Sequence, residues 1–145
     1  MARGDVTVFN EAKAKMLDGD WASTDHFSCA ICDDTTTPAA ATVTPTLADF
    51  TEVGAGGTYV AGGTDLGALS ALVTEAAGVM TFDSATNPTW AQDAGNDVDA
   101  FWGIIYNSTD AGNDAVAFVD LGGPVDMTAG DLTITWNGSG IFTIT

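Results

Sequence analysis

Phe101-Trp102-Gly103-Ile104-Ile105-Tyr106 is a continuous apolar run, and it decides the fold of this chain. A short run of this kind, without polar alternation, is typical of a strand that is buried on both faces of a sheet. Residues 115–121 (Ala-Val-Ala-Phe-Val-Asp-Leu) form a second predominantly apolar segment of strand length. Both segments are therefore predicted to be strands.

The C-terminal quarter predicts further strand structure. Asp131-Leu-Thr-Ile-Thr-Trp136 alternates, so Leu132, Ile134 and Trp136 are expected to face the core. Asn137-Gly-Ser-Gly140 is a turn sequence, and it predicts a hairpin that returns into a strand over 141–145. Weaker strand segments are predicted at 26–32, 57–61, 71–75 and 78–82. Short strands and frequent turns favour a mainly β, antiparallel β-sandwich or jelly-roll-like single domain.

One short N-terminal helix is predicted before this domain. Residues 7–18 carry apolar side chains near helical spacing, Thr7 can cap the helix, and Gly19 can end it. The chain is accordingly divided into an N-terminal arm and helix over 1–20 and a β-sandwich domain over 21–145. A short helical turn is also expected at 46–50.

The charge is distributed very unevenly. The chain has 145 residues and a net charge of −17, and Arg3, Lys13 and Lys15 are its only Lys and Arg residues. The 130 residues after Lys15 contain eighteen acidic residues and His26. Nucleic acid and anionic membranes would repel such a surface, whereas a basic protein surface would attract it. The composition therefore predicts a role in binding other proteins.

Two features bear on where the chain is made. No window has the length and apolarity of a transmembrane helix. The N-terminal Met1-Ala-Arg-Gly-Asp5 lacks the apolar region of a secretory signal. We therefore expect synthesis in a cytoplasm.

Cys29-Ala-Ile-Cys32 has the spacing of redox and zinc motifs. A zinc site would need two more ligands, and the chain offers no second Cys pair and only His26. A redox pair would need its first Cys at a helix N-terminus, whereas this pair lies in a predicted strand. Buried structural thiols are the better interpretation.

Acidic loops leave two interpretations open. Asp93, Asn96, Asp97 and Asp99 in one loop, and Asp110, Asn113 and Asp114 in another, are oxygen ligands that suit calcium, and they are equally the residues that tight turns use. Asp-Ala-Gly-Asn-Asp occurs at 93–97 and again at 110–114, which predicts two similar turns at opposite ends of the 101–106 strand. Turn formation is the favoured interpretation, and we predict no metal and no cofactor.

Catalysis is not predicted. A Ser-His-Asp or Cys-His arrangement would have to use His26, and no nucleophile-elbow motif is present. The candidate residues for contact with a protein partner are the three cations, Arg3, Lys13 and Lys15, together with Phe9 on the helix and Trp90 after Asn87-Pro-Thr89.

Several strand-and-turn segments occur in a familiar order: Asn87-Pro-Thr-Trp90, residues 101–110, Phe118-Val-Asp-Leu-Gly-Gly123, residues 128–136 and Gly140-Ile141, preceded by the opening Met1-Ala-Arg-Gly-Asp5 and its short helix. In these segments, which cover most of its length, the chain resembles small virion proteins of tailed bacteriophages. The resemblance implies a capsid decoration (cement) protein that is located on the virion surface, binds the lattice of major capsid protein and forms a homo-oligomer, with a trimer favoured. The alternatives are a tail, collar or head-fibre component and a carbohydrate-binding host-recognition module.

Overall fold

The computed structural model describes residues 1–144, and within them the chain forms ten strands and two α-helices. The strands are β1 Val6–Val8, β2 His26–Cys32, β3 Thr64–Ala68, β4 Val73–Ala76, β5 Val79–Phe82, β6 Thr89–Trp90, β7 Ala100–Asn107, β8 Ala115–Val125, β9 Leu132–Thr133 and β10 Phe142–Ile144. The helices are α1 Asn10–Asp18 and α2 Leu69–Leu72, and a 3-10 turn covers Leu47–Asp49. The predicted mainly β, antiparallel class is confirmed.

A five-stranded antiparallel sheet, in the order β1-β8-β7-β2-β3, forms the centre of the described chain. Its middle strands are the two segments that the apolar runs predicted, with Gly103 opposite Val119 and Ile104 opposite Phe118. β2 pairs with the other side of β7 and coincides with the predicted strand at 26–32. A run that is apolar on successive residues thus became a strand with covered faces, as expected.

Both faces of this central sheet are covered. On one face, the ring of Phe9 lies 5.1 Å from that of Phe118 and 5.9 Å from that of Phe50. On the other face, a Cβ added to Gly103 would lie only 3.0 Å from Ile134 Cδ1. The 132–136 segment therefore packs closely against the sheet at this glycine. The layers give the sandwich-like architecture that the sequence predicted.

Two smaller sheets supply the second layer within residues 1–144: β10-β5-β4 and the two-stranded β6-β9. The ring of Phe82 on β5 stacks on Phe142 of β10 at 4.8 Å. It also meets Phe27 of the central sheet at 5.7 Å. This aromatic chain ties the three-stranded sheet to the central one, since each pair adds about 0.5–1.5 kcal/mol beyond the buried area.

The predicted C-terminal hairpin is wrong. The turn exists, because the Gly140 N–H donates to the Asn137 carbonyl at 2.8 Å. However, β9 pairs with β6, and β10 pairs with β5. The alternation over 131–136 still reports the buried side correctly, although only residues 132–133 are in a strand.

Three other boundaries differ from prediction. Residues 6–8 form a strand where the helix was expected to begin, and α1 starts at Asn10. Residues 57–61 form no strand, and the strand expected at 71–75 begins only at Val73 because α2 precedes it. The helix does end at Gly19, which adopts the left-handed conformation with φ 76°.

The N-terminal segment is part of the same core as the rest. Val6 pairs with Val119 in the central sheet, and Phe9 is fully buried. The accessible surface is 6872 Å², close to the ~7,000 Å² expected of a folded monomer of this mass. Residues 1–20 therefore pack against the same core as residues 21–144.

Candidate partner-binding surface

The candidate contact residue Lys15 is engaged inside the molecule. Its ammonium forms an ion pair with Asp114, and the two side chains are only 25% and 16% exposed. The hydrogen bond to Asp114 is the largest cause that raises the pKa of Lys15, although partial burial opposes it. The pair fastens α1 to the loop between β7 and β8, so this cation has a structural partner already.

The other two cations lie at the surface. Lys13 is exposed, and its Nζ lies 3.4 Å from the side-chain amide oxygen Oδ1 of Asn10 on the same helix. Arg3 is exposed, and its aliphatic stem lies so close to Gly122 that an added Cβ there would be 2.9 Å from Arg3 Cβ. Both remain candidates for contact with a partner.

The two aromatic candidates are not at the surface, which corrects the sequence-based prediction. Phe9 is 0% exposed because it packs between the central sheet and the 3-10 turn. Trp90 is 4% exposed: it lies on β6, paired with β9, and its ring is 6.0 Å from that of Tyr59. Both side chains stabilise the fold and are inaccessible to a partner of the intact domain.

His26 is exposed at the start of β2. Its Nδ1 lies 3.0–3.1 Å from the two carboxylate oxygens of Asp65 on the neighbouring strand. Within residues 1–144, no hydroxyl or thiol side chain bonds to the ring, so this part of the chain contains no Ser-His or Cys-His pair.

The two cysteines are buried thiols, as predicted. Cys29 and Cys32 are both 0% exposed and are not joined by a disulfide. Burial alone raises the pKa of the Cys29 thiol to about 12. Burial likewise raises the pKa of Cys32, with a smaller contribution from the Glu52 carboxylate. Neither sulfur is a thiolate near neutral pH, so neither is a nucleophile in the folded chain.

The repeated pentapeptide forms two similar turns, one at each end of β7, as predicted. In each turn the first Asp accepts a hydrogen bond at 2.8 Å from the glycine N–H two residues later. The carbonyl of the same Asp accepts at 3.0 Å from the Asn N–H three residues later. These bonds are what Asp contributes to a tight turn.

The last Asp of each turn fastens a different segment. Asp97 accepts from the N–H groups of Gly54, Val98 and Asp99 at 3.0, 2.7 and 3.3 Å. The bond from Gly54 is the largest cause that lowers the pKa of Asp97, and burial opposes it. The corresponding Asp114 receives Lys15. Among the described residues, no group of three or more His, Cys, Asp or Glu is arranged to hold a metal ion.

Most acidic side chains do not contact a basic side chain in the described part of the chain. Of the twenty acidic residues, Asp114 and Asp65 contact a basic side chain within residues 1–144, and the other eighteen do not. Four of the eighteen are exposed and accept no hydrogen bond in this part of the chain: Asp18, Asp20, Asp34 and Asp99. The accessible surface therefore carries a large, unneutralised negative charge.

A groove without charged residues interrupts this acidic surface. It lies between α1 and the small sheet β10-β5-β4 and encloses about 320 Å³. Its lining consists of Met16, Trp21, Ser23, Leu69, Ser70, Val73, Met80 and Phe82. The sequence analysis missed this groove, although Met80 and Phe82, two residues apart on a predicted strand, were a signal of a shared apolar face.

No helix within residues 1–144 has the length and apolarity needed to cross a membrane. Comparisons with protein-family models, with curated proteins and with solved structures found no match to this chain.

Proposed function

We propose that this chain is a virion structural protein that decorates a phage capsid and stabilises it by binding across the seams between capsid subunits. The observation that carries the proposal is the surface charge: eighteen of twenty acidic side chains contact no basic side chain in the described structure. Such a surface is attracted to a basic protein lattice and repelled by DNA and anionic lipid. The proposal includes no enzymatic step.

Stabilisation of the shell would follow from mass action. A protein that binds only the assembled lattice favours assembly by about 2.7 kcal/mol per site when its free concentration is a hundred times Kd. Many repeated sites would multiply this effect over one particle. The chain would be made in the host cytoplasm, act as a homo-oligomer, with a trimer favoured, and reside on the capsid surface.

The test is binding to assembled phage heads that lack this protein. When the heads are pelleted, the protein should sediment with them. The affinity of the protein for the heads should fall as NaCl rises from about 50 mM to about 500 mM, since the Debye length shrinks from roughly 14 to 4 Å. A mobility-shift assay with double-stranded DNA should show no complex at either salt. Binding to DNA, or no binding to heads, would contradict the proposal.

A charge variant sharpens the test. Replacing the four exposed, unbonded acids with asparagine (D18N, D20N, D34N and D99N) should weaken head binding at low salt and leave the fold intact. The matched control replaces four exposed threonines with serine (T24S, T37S, T74S and T135S), which changes no charge. Equal binding by both variants would remove the electrostatic basis of the proposal.

The number of copies per particle separates the capsid proposal from the tail alternative. A decoration protein would be present in many copies spread over the head, whereas a tail, collar or fibre component would be present in few copies at one site. Labelled protein on intact particles, imaged by electron microscopy, gives this stoichiometry directly.

A further inference from the structure

The turn at 137–140 contains an asparagine that is followed by glycine. The chain has six asparagines, and the residues that follow the other five are Glu11, Pro88, Asp97, Ser108 and Asp114. The backbone nitrogen of the following residue can attack the Cγ atom of an asparagine side chain and close a succinimide ring. Glycine favours this attack, because without a Cβ its backbone can adopt the angles that the ring requires. By its chemistry, Asn137-Gly138 is therefore the most reactive of the six pairs.

The fold leaves both reacting groups accessible. Asn137 and Gly138 are exposed, and a Cβ added to Gly138 would meet no atom within 4 Å. Within residues 1–144 the Gly138 N–H donates no hydrogen bond, and neither does the side-chain amide of Asn137. In the described part of the chain, the nitrogen that would attack and the nitrogen that would leave are thus both without a partner.

The turn also activates the carbonyl group that would be attacked. Asn137 Oδ1 accepts a hydrogen bond at 2.9 Å from the Ser139 N–H. This bond keeps the side chain folded towards the peptide groups that follow it. Negative charge develops on Oδ1 when the Gly138 nitrogen bonds to Cγ, and a backbone N–H that already points at this oxygen stabilises that charge.

Asn107 provides a contrast within the same chain. Its Oδ1 likewise accepts a hydrogen bond from the N–H two residues later, that of Thr109, at 3.0 Å. However, the Ser108 N–H that would attack donates to the His26 carbonyl at 2.9 Å, and the amide that would leave donates to an aspartate at 2.9 Å. Asn107 is also 0% exposed. The fold therefore protects this asparagine and leaves Asn137 open to reaction.

We propose that Asn137 is a site of spontaneous deamidation. The Gly138 nitrogen gives its proton to solvent and bonds to Asn137 Cγ, and the bond between Cγ and Nδ2 breaks as that nitrogen takes up a proton and leaves as ammonia. Water then opens the succinimide at either of its carbonyl groups, which yields aspartate or isoaspartate. The net reaction consumes one water and releases one ammonia, and no other reactant is needed. The site does not depend on the proposed capsid role.

The isoaspartate product would loosen the attachment of β10. Its main chain gains a carbon, and the Asn137 carbonyl that now accepts the Gly140 N–H at 2.8 Å becomes a carboxylate outside the main chain. Gly140 has little room to adjust, since a Cβ added there would lie 2.5 Å from Thr81 Cγ2. The next N–H, that of Ile141, donates to the Phe82 carbonyl at 2.9 Å, and β10 begins one residue later. Modification should therefore weaken the pairing of β10 with β5.

Peptide mapping after incubation of the folded protein at mildly alkaline pH tests the site, because the nitrogen that attacks must first lose its proton. Cleavage before aspartate in the unfolded chain releases residues 131–145, since Asp131 is the last aspartate. Deamidation raises the mass of this peptide by about 1 Da. Aspartate at position 137 adds a cleavage point, whereas isoaspartate does not. Both products should accumulate, with no change in the peptide that contains Asn107.

The same chain unfolded in urea is the reference. The rate at Asn137 in the folded protein should lie within about tenfold of the unfolded rate, whereas reaction only through global unfolding would be slower by roughly a thousandfold or more. A folded rate more than about tenfold slower would overturn the proposal, because the turn would then protect the residue. Equal conversion of Asn107 and Asn137 in the folded protein would also overturn it.

G138A is the matched variant. Alanine fits, since Gly138 lies outside the left-handed region and a Cβ there meets no atom within 4 Å. It should slow conversion about tenfold or more, because a Cβ restricts the backbone angles needed for attack. A rate equal to that of the wild type would overturn attack by the backbone nitrogen.

N137D separates the effect of the added charge from that of the longer main chain. It carries the charge of the products without the extra carbon, so the isoaspartate form, isolated by chromatography, should melt at a lower temperature than N137D. Equal melting temperatures would overturn the predicted loosening of β10.

Discussion

Phe9→Ala should destabilise the whole domain rather than release an N-terminal arm. Phe9 is 0% exposed and contacts both Phe118 of the central sheet and Phe50 beyond the 3-10 turn. Its N–H donates to the Val116 carbonyl at 3.0 Å, so the backbone is fixed to β8 as well. Truncation would leave a cavity that this fixed backbone cannot close.

The size of the effect follows from that packing. Removing a buried Phe ring costs about 3–5 kcal/mol. For a domain of this length, each kcal/mol lowers the melting temperature by roughly 2–4 °C, so Tm should fall by about 6–20 °C. Urea unfolding followed by circular dichroism gives the free-energy change directly. Lys13→Ala, on the exposed side of the same segment, is the control and should change stability by less than about 0.5 kcal/mol.

If Phe9→Ala lowered the free energy of unfolding by less than about 1 kcal/mol, with the urea m-value unchanged, this reasoning would be refuted. It would mean that residues 1–20 detach without disturbing the sheet and form the separate arm that the sequence favoured.

Two further predictions concern the carboxylates. Melting temperature should rise when NaCl is increased from about 20 mM to about 500 mM, because eighteen acidic side chains without a basic neighbour repel one another less when screened; a flat profile would indicate that bound cations already neutralise them. Asp97→Asn should cost about 1–2 kcal/mol at pH 7, since the amide supplies one acceptor oxygen where the carboxylate supplies two. The lowered pKa of Asp97 means that its contribution is present above the unfolded value of about 3.9 and is lost as pH falls through the folded value. The variant should therefore lose less stability than the wild type between pH 5 and pH 3, as measured by urea unfolding at each pH, and identical losses would contradict the assigned role.

The sequence predicted which side chains are buried better than it predicted which strands pair with each other. Leu132, Ile134 and Trp136 are buried as the alternation required. Alternation states which side of a segment is apolar and does not state which strand lies beside it. A turn forms at 137–140, but β10 pairs with β5, where Phe142 stacks on Phe82. Which strand pairs with β10 therefore depends on contacts between residues that are distant in the sequence.

The candidate partner-binding surface could be predicted only in part, because contacts between distant residues also decide which side chains are exposed. The excess of acidic residues is a property of composition and could be counted. The burial of Trp90, in contrast, depends on Tyr59, thirty-one residues earlier. Glu52 shows the limit most clearly. Its carboxylate accepts hydrogen bonds from the Tyr59 hydroxyl and the Gly62 N–H, and so holds the intervening loop. No local pattern marks this glutamate.

The pairing of β1 with β8 has a consequence for how the chain folds as it is synthesised. Val6 pairs with Val119, which lies more than a hundred residues later in the sequence and is therefore synthesised later. At translation rates of about 5–20 residues per second, β1 stays without its partner for roughly 6–23 seconds. For most of that interval neither β7 nor β8 has been synthesised, so the backbone N–H and C=O groups of β1 have no strand to pair with. The first strand of the chain therefore joins the central sheet only after the last strand of that sheet has been made.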